Sequence, residues 1–112
     1  MRKALVALVV TFTVSLAACA SEDAGAPLSQ FPDDAVIVDV RTPAEYATGH
    51  LEGALNIDLN APDFRAKIAE LEKDETYVLY CRSGNRSGQA KAIMEEMGFS
   101  DVTNAGGYDD LK

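Results

Sequence analysis

The chain has 112 residues, enough for one domain and too few for two. Hydrophobic residues make up 47% and charged residues 25%, which excludes a collagen, a long disordered chain and a polytopic membrane protein. The net charge of -8 argues against nucleic-acid binding, which requires a basic surface. One histidine and two cysteines are too few for a structural zinc site, so we expect no metal and no cofactor.

The first eighteen residues are typical of an export signal. Arg2 and Lys3 precede fifteen residues, 4–18, that are only Ala, Val, Leu, Phe, Thr and Ser. This run is shorter than the roughly twenty apolar residues of a membrane-spanning helix. Residues 16–19 (LAAC) resemble a bacterial lipobox, in which a peptidase cuts before the cysteine and that cysteine carries the lipid. We predict a lipoprotein signal peptide over residues 1–18 and lipidation of Cys19; an ordinary signal peptide and an uncleaved anchor are the alternatives.

Cleavage before Cys19 sets the expected location of the protein. It would leave eight basic residues against 18 acidic ones, a net charge of -10, on a domain held at the membrane by its lipid alone. We expect the cell envelope, on the extracytoplasmic side. Ala20 follows the cysteine. In Gram-negative lipoproteins this resembles the pattern for sorting to the outer membrane, which would place the protein on the periplasmic face of that membrane. Residues 19–33 are predicted to form a flexible tether, and residues 34–112 the domain.

Strand-like and helix-like segments alternate through the domain. β-Branched and apolar runs predict strands at 35–40, 54–57, 76–80 and 101–104. Thr42, Pro43 and Glu45 predict a helix start, and Gly49 its end. Apolar residues at helical spacing predict further helices over 60–73 and 87–97. This order is typical of an α/β domain with a small parallel sheet covered on both faces by helices.

A cysteine, Cys81, directly follows the strongest predicted strand, at the end of the strand where ligands bind in parallel sheets. The backbone N–H groups of the tight loop after Cys81, and the start of the next helix, favour an anion. Gly84 and Asn85 tolerate the positive φ that such a loop needs. Arg82 and Arg86 add two cations. The segment therefore predicts a Cys81 thiolate, or a larger sulfur anion attached to it.

Four motifs occur in order between residues 36 and 108. They are Asp39-Val40-Arg41 with Glu45-Tyr46, residues 49–56 (GHLEGALN), Tyr80 with the Cys81 loop, and Gly106-Gly107-Tyr108. Together they resemble the rhodanese domain, a family of sulfurtransferases that carry sulfane sulfur on a cysteine. The resemblance implies a three-layer, rhodanese-like α/β fold. The family commonly continues into a helix after the double glycine, so we expect a fold truncated at its C-terminus.

The resemblance also implies a two-step sulfur transfer. Cys81 would be the nucleophile, taking sulfane sulfur from a small anionic donor such as thiosulfate and passing it as a persulfide to a thiol or cyanide acceptor. Asp39, Arg41 and Glu45 would support the loop, and we expect a monomer. The residues implied to cradle the substrate are Arg82, Ser83, Gly84, Asn85, Arg86 and Ser87.

Several alternatives stay open on the sequence. Tyrosine phosphatases place an arginine six positions after the cysteine, whereas here that position is Ser87, which disfavours a phosphatase or arsenate reductase. A non-catalytic sulfur-sensing, redox-sensing or binding module is the other alternative. Arg86 either faces substrate or pairs with Asp39 or Glu45. Asp39 either orients the loop or is merely solvated, and the role of Arg41 is open. His50 is expected to make a structural hydrogen bond.

Overall fold

The structure, a computed structural model, describes residues 28–112. The predicted signal peptide, the predicted lipidation site Cys19 and the first part of the predicted tether lie outside these residues. Between residues 28 and 112, no helix is long and apolar enough to cross a membrane.

Four parallel strands form the sheet, in the order β2-β1-β3-β4. The strands are β1 (Val36–Asp39), β2 (Leu55–Asn56), β3 (Thr76–Cys81) and β4 (Asp101–Gly107). The predicted small parallel sheet is confirmed. Strand β4 is three residues longer than predicted, because its pairing with β3 continues through a register shift to the double glycine.

Four short helices connect and flank the strands. They are α1 (Pro43–Ala47), α2 (Phe64–Ala69), α3 (Asn85–Glu96) and α4 (Tyr108–Leu111). The predicted capping box at the start of α1 is present, with Thr42 and Glu45 each bonding the other's backbone N–H. Helix α2 is shorter than the predicted 60–73, since Ala61 precedes Pro62 and a residue before proline disfavours helical geometry. Helix α3 begins two residues earlier than predicted.

The sheet separates two hydrophobic clusters, which gives the predicted three-layer arrangement. The larger cluster joins one face of β1, β3 and β4 to α2 and α3, through side chains such as Val38, Leu79, Ile68 and Met94. The smaller cluster lies on the opposite face, and helices α1 and α4 pack against it. Its members are Leu51, Ala54 and Tyr80, with Leu28, Ile37, Tyr46, Tyr108 and Leu111 partly buried around them.

Both ends of the described chain pack on the smaller cluster. Within the predicted tether, Leu28–Gln30 forms a 3₁₀ helix, and Leu28 contacts the cluster. At the other end, the ring of Tyr108 in α4 stacks 6.0 Å from the ring of Tyr80. The hydroxyl of Tyr80 accepts a 3.0 Å hydrogen bond from the N–H of Leu51, so this tyrosine is a packing residue. Tyr108 and Leu111 of the four-residue α4 thus pack on this face of the sheet.

Candidate active site

Cys81 lies at the end of the central strand β3, in line with Gly107 of β4. Its side chain is buried, with none of the residue exposed to solvent. The N–H of Gly84 donates a hydrogen bond to Sγ at 3.0 Å. The hydroxyl oxygen of Ser87 lies 3.4 Å from the same sulfur. The sulfur is therefore surrounded by donors from the loop and from the first turn of α3.

The loop that carries these donors turns at a single glycine. Gly84 has a φ of +93°, in the left-handed region that favours glycine. Asn85 also tolerates a positive φ but does not adopt one, since no residue between 28 and 112 other than glycine has a positive φ. Asn85 is already the first residue of α3, and its carboxamide oxygen accepts a hydrogen bond from Gln89 on the surface.

These contacts change the acidity of the Cys81 thiol. Burial, the largest single influence, raises its pKa by disfavouring the thiolate. Hydrogen bonds from the Ser87 hydroxyl and from the N–H groups of Ser83, Gly84 and Ser87 act in the opposite direction. Together they outweigh the burial, so that the pKa of Cys81 lies below its ordinary value. The predicted stabilisation of an anion thus comes from hydrogen-bond donors.

Arg86 pairs with Glu45 across the loop. Its guanidinium donates two hydrogen bonds to the carboxylate, at 2.6 and 3.0 Å. The hydrogen bond from Arg86 is the main reason why the pKa of Glu45 falls to about 2. Of the two pairings considered for Arg86, the structure has Glu45 and not Asp39. Glu45 therefore links α1 to the helix that carries the loop.

Arg82 is placed differently from Arg86. It is exposed and makes no ion pair with any residue from 28 to 112. It lines a cavity of about 370 Å³ next to the loop, whose other charged residues are Arg41, Lys112, Glu45 and Asp109. Unlike Arg86, Arg82 is thus a loop cation without a carboxylate partner among residues 28–112.

Asp39 and Arg41 form a buried pair beside the loop rather than a direct support for it. Asp39 is fully buried, which overturns the solvated alternative, and its carboxylate accepts hydrogen bonds from Arg41 at 2.7–3.0 Å. Arg41 also donates to the carbonyl of Gly49 at 2.6 Å and lies 4.6 Å from the ring centre of Tyr108. The pair therefore ties the end of β1 to the turn before β2 and to α4.

The double glycine allows β4 to approach the loop. A Cβ on Gly107 would stand 2.5 Å from the carbonyl oxygen of Arg82, closer than real Cβ atoms come. A Cβ on Gly84 would meet the Cα of Gly106 at 3.4 Å. The absence of side chains at these positions therefore lets the end of β4 and the loop pack backbone against backbone.

Asn104 is a residue at this site that the sequence prediction missed. Its carboxamide nitrogen donates to the carbonyl of Gly84 at 2.9 Å. Its carboxamide oxygen accepts from the hydroxyl of Ser87 at 2.7 Å and from the N–H of Gly106 at 3.0 Å. The available signal was a carboxamide two residues before the double glycine, at the end of a predicted strand.

His50 makes a structural hydrogen bond within the turn in which it lies, as expected. Its Nδ1 lies 2.9 Å from the carbonyl oxygen of Tyr46, and the two rings stack with centres 3.6 Å apart. Within the described part of the chain, no group of three His, Cys, Asp or Glu side chains is arranged to hold a metal ion.

A buried cysteine held by N–H donors at the end of a parallel strand is the arrangement expected of an enzyme that uses a cysteine nucleophile. The rhodanese-like domain family model matches residues 23–112, and the chain belongs to this family. The chain is 45% identical over 74 residues to the thiosulfate sulfurtransferase PspE of Escherichia coli, covering 66% of this chain and 71% of that protein. A sulfurtransferase of Allochromatium vinosum is 41% identical over 75 residues, covering 67% and 68%.

A solved structure gives the same result for the fold. The rhodanese with anions from E. coli superposes with a TM-score of 0.60 at 43% identity, covering 68% of this chain and 89% of that one. The predicted fold is confirmed, and so is the predicted class of enzyme, a rhodanese-type sulfurtransferase.

Proposed function

We propose that this protein transfers sulfane sulfur from thiosulfate, or a similar small anion, to a thiophilic acceptor through a persulfide on Cys81. The observation that carries the proposal is the hydrogen bond from the Gly84 N–H to Cys81 Sγ at 3.0 Å, inside a loop whose other N–H groups lower the pKa of the thiol. A thiolate is the nucleophilic form of cysteine, and the same donors suit the anion of a persulfide.

The reaction takes place in two displacements. The Cys81 thiolate attacks the outer sulfur of thiosulfate, a new S–S bond forms, and the old S–S bond breaks as sulfite leaves with the electron pair. An acceptor thiolate or cyanide then attacks the terminal sulfur of the persulfide, and Cys81 leaves as the thiolate. No net oxidant or reductant is consumed, so the one cysteine of the described domain is sufficient.

The two loop arginines have different parts in this proposal. Arg82 has no carboxylate partner among residues 28–112 and lines the adjacent cavity, so it attracts the anionic donor against the negative charge of the domain. Arg86 is neutralised by Glu45 and holds the loop against α1. Ser83, Gly84, Asn85 and Ser87 then form the cradle, with Gly84 and Ser87 contacting the sulfur and Asn85 beginning the helix.

Sulfite release from thiosulfate, with cyanide as acceptor, tests this function. We expect Cys81→Ser to abolish it, because the hydroxyl of serine is not ionised near neutral pH; retained activity would refute the role of Cys81. An aryl phosphate is assayed in parallel. Phosphate release from it without sulfite release would indicate a phosphatase, and neither release would indicate a binding module.

We also propose that Cys19 carries a lipid and that the domain works at the cell envelope, on the periplasmic face of the outer membrane in a Gram-negative cell. The lipobox-like residues 16–19 support this. Globomycin blocks lipoprotein signal processing, so it should cause the precursor to accumulate. Unchanged processing in the presence of the drug would refute lipidation. We expect the processed domain to be a monomer, which sedimentation would check.

A further inference from the structure

Asn104 occupies an irregular point in strand β4. Leu79 of β3 is in register with Asn104, but the next residue, Tyr80, is in register with Gly106, so Ala105 has no partner across the ladder. Such a bulge re-aims the side chain beside it. The N–H of Gly106 then bonds back to the Asn104 carboxamide oxygen at 3.0 Å, which fixes the orientation of that side chain.

The side chain of Asn104 contacts both groups that contact the Cys81 sulfur. Its nitrogen donates to Gly84, whose own N–H donates to Sγ at 3.0 Å. Its oxygen lies 2.7 Å from the hydroxyl oxygen of Ser87, which is 3.4 Å from Sγ. Asn104 is therefore one residue removed from the reacting sulfur by two separate routes.

The Ser87 hydroxyl has one proton and two neighbours that accept it. A serine hydroxyl donates one hydrogen bond and accepts others through its lone pairs. A neutral thiol is a weak acceptor, whereas the Asn104 carboxamide oxygen is a strong one and lies 2.7 Å from Ser87 Oγ, so the Ser87 proton belongs to Asn104 while the sulfur, at 3.4 Å, is a thiol. A thiol can then donate its own S–H to Ser87 Oγ. A sulfur anion has no proton to give and accepts only.

We propose that Asn104 is a positioning residue that acts on Cys81 through the Ser87 hydroxyl, holding its proton while the sulfur is a thiol and releasing it to the sulfur when the sulfur is an anion. The hydroxyl follows the charge on the sulfur by rotating about its own C–O bond, and the backbone stays in place. This inference rests on the proposed use of Cys81 as a thiolate and a persulfide anion.

The competition of Asn104 and Cys81 for the Ser87 proton determines the direction in which Asn104 shifts the ionisation of Cys81. Forming the thiolate requires Ser87 to give up a 2.7 Å hydrogen bond to Asn104, so Asn104 opposes ionisation of Cys81. If Asn104 only braced the Gly84 peptide, its removal would loosen a donor to the sulfur and have the opposite effect. The charged groups around the loop are Arg82, Arg86, Glu45, Asp58 and the buried pair of Asp39 and Arg41, and none is altered by a substitution at Asn104.

The test is the pH dependence of Cys81 alkylation in the purified full chain, quantified on the Cys81 peptide by mass spectrometry. This readout needs no sulfur donor, so it can fail independently of sulfur transfer. We expect Asn104→Ala to increase the acid dissociation constant of the thiol about three- to tenfold, the value of one neutral hydrogen bond. Ser87→Ala should decrease it, and Asn104→Ala should have no further effect in the Ser87→Ala background.

Two variants control this experiment. Asn56 is also half-buried and donates to two backbone carbonyls, those of Asp39 and Arg41, without touching Ser87. We expect Asn56→Ala to lower the melting temperature but leave the pKa of Cys81 unchanged. Asn104→Val, which suits a strand, should repeat the Asn104→Ala result. A decreased or unchanged dissociation constant in the Asn104 variants, an equal shift in the Ser87→Ala background, or failure of both Asn104 variants to fold overturns the proposal.

Discussion

The carboxylate of Glu45 in α1 receives both hydrogen bonds of the Arg86 guanidinium in α3, at 2.6 and 3.0 Å. The two helices lie on opposite faces of the sheet, since α1 packs on the smaller cluster and α3 on the larger. The pair therefore crosses the edge where the strands end, next to the Cys81 loop, since Arg86 lies in the first turn after it. It fixes the first turn of α3, from which Ser87 reaches the sulfur.

This pair makes part of the stability depend on acid pH. The folded-state pKa of Glu45, about 2, is below its ordinary value of 4.5. The contribution of the Glu45–Arg86 pair to the free energy of unfolding is therefore complete above about pH 4.5 and is lost as the pH falls towards 2. We expect Glu45→Gln, which can still cap α1, to lower the unfolding free energy at pH 7 by about 1–2 kcal/mol. Urea denaturation at pH 7 and pH 2.5 should show this difference shrinking at the lower pH.

Glu52, which is exposed and pairs with no cation between residues 28 and 112, provides the matched control. Glu52→Gln should show no difference from the original chain at either pH. If Glu45→Gln behaves in the same way, the ion pair with Arg86 contributes nothing to stability.

Substitutions of the two loop arginines, Arg82 and Arg86, should have different effects on KM and on stability. We expect Arg82→Gln to raise the KM for thiosulfate about three- to tenfold with a small change in kcat, because it removes an unpaired cation that attracts the donor. This increase should disappear in high salt, which screens the attraction. Arg86→Gln should instead lower the melting temperature, with a smaller change in KM, because it leaves the Glu45 carboxylate without its partner. Equal effects of the two variants on KM would contradict this division.

The buried pair of Asp39 and Arg41 should be a large determinant of stability. Asp39→Asn leaves the Arg41 guanidinium, which is only 4% exposed, without a counter-charge. Removing one partner of a buried pair costs about 3–5 kcal/mol, so we expect urea denaturation to show a loss of that size. Asp101→Asn is the control, since its contact with the Thr76 hydroxyl is exposed. Similar small losses in both variants would show that the buried charge is compensated elsewhere.

Glycine substitutions test the approach of β4 to the loop. We expect Gly107→Ala to destabilise the domain by about 3 kcal/mol or more and to slow alkylation of Cys81, because the new Cβ would press on the Arg82 carbonyl. Gly53→Ala is the control. Its Cβ would have nothing within 4 Å, so it should cost only the roughly 1–2 kcal/mol of a left-handed φ, +78° here, without affecting the thiol. Melting temperatures measure the loss of stability, and alkylation rates measure the effect on the thiol. An unaltered rate of Cys81 alkylation in Gly107→Ala would refute the close contact between Gly107 and the Arg82 carbonyl.

The sequence patterns predicted the elements that local chemistry determines. The capping box of Thr42 and Glu45 and the predicted strand 76–80 that leads to Cys81 depend on neighbouring residues, and the structure has both. The bulge between Asn104 and Gly106 depends on pairing with β3, so local propensity ended that strand too early. Asn104 was missed for the same reason, because its partners Gly84 and Ser87 come from a different element.

The role of Arg86 in the site also depends on a partner from another element, which the local sequence does not indicate. Its loop position suited both substrate binding and structural pairing, and only the fold brings Glu45 to it across 41 positions of sequence. Arg82 and Arg86 look alike in the sequence, whereas one lines a cavity and the other is held by a carboxylate. Charges can be counted along the chain, but their partners are set by tertiary packing.

We propose that Cys81 carries the transferred sulfur. Intact-protein and peptide mass spectrometry after incubation with thiosulfate tests this role most directly, with Cys81→Ser as the control. We expect a gain of one sulfur atom on the Cys81 peptide, its loss on addition of cyanide, and no gain in the variant. An unmodified Cys81 in a protein that still releases sulfite, or the same gain in Cys81→Ser, would contradict it.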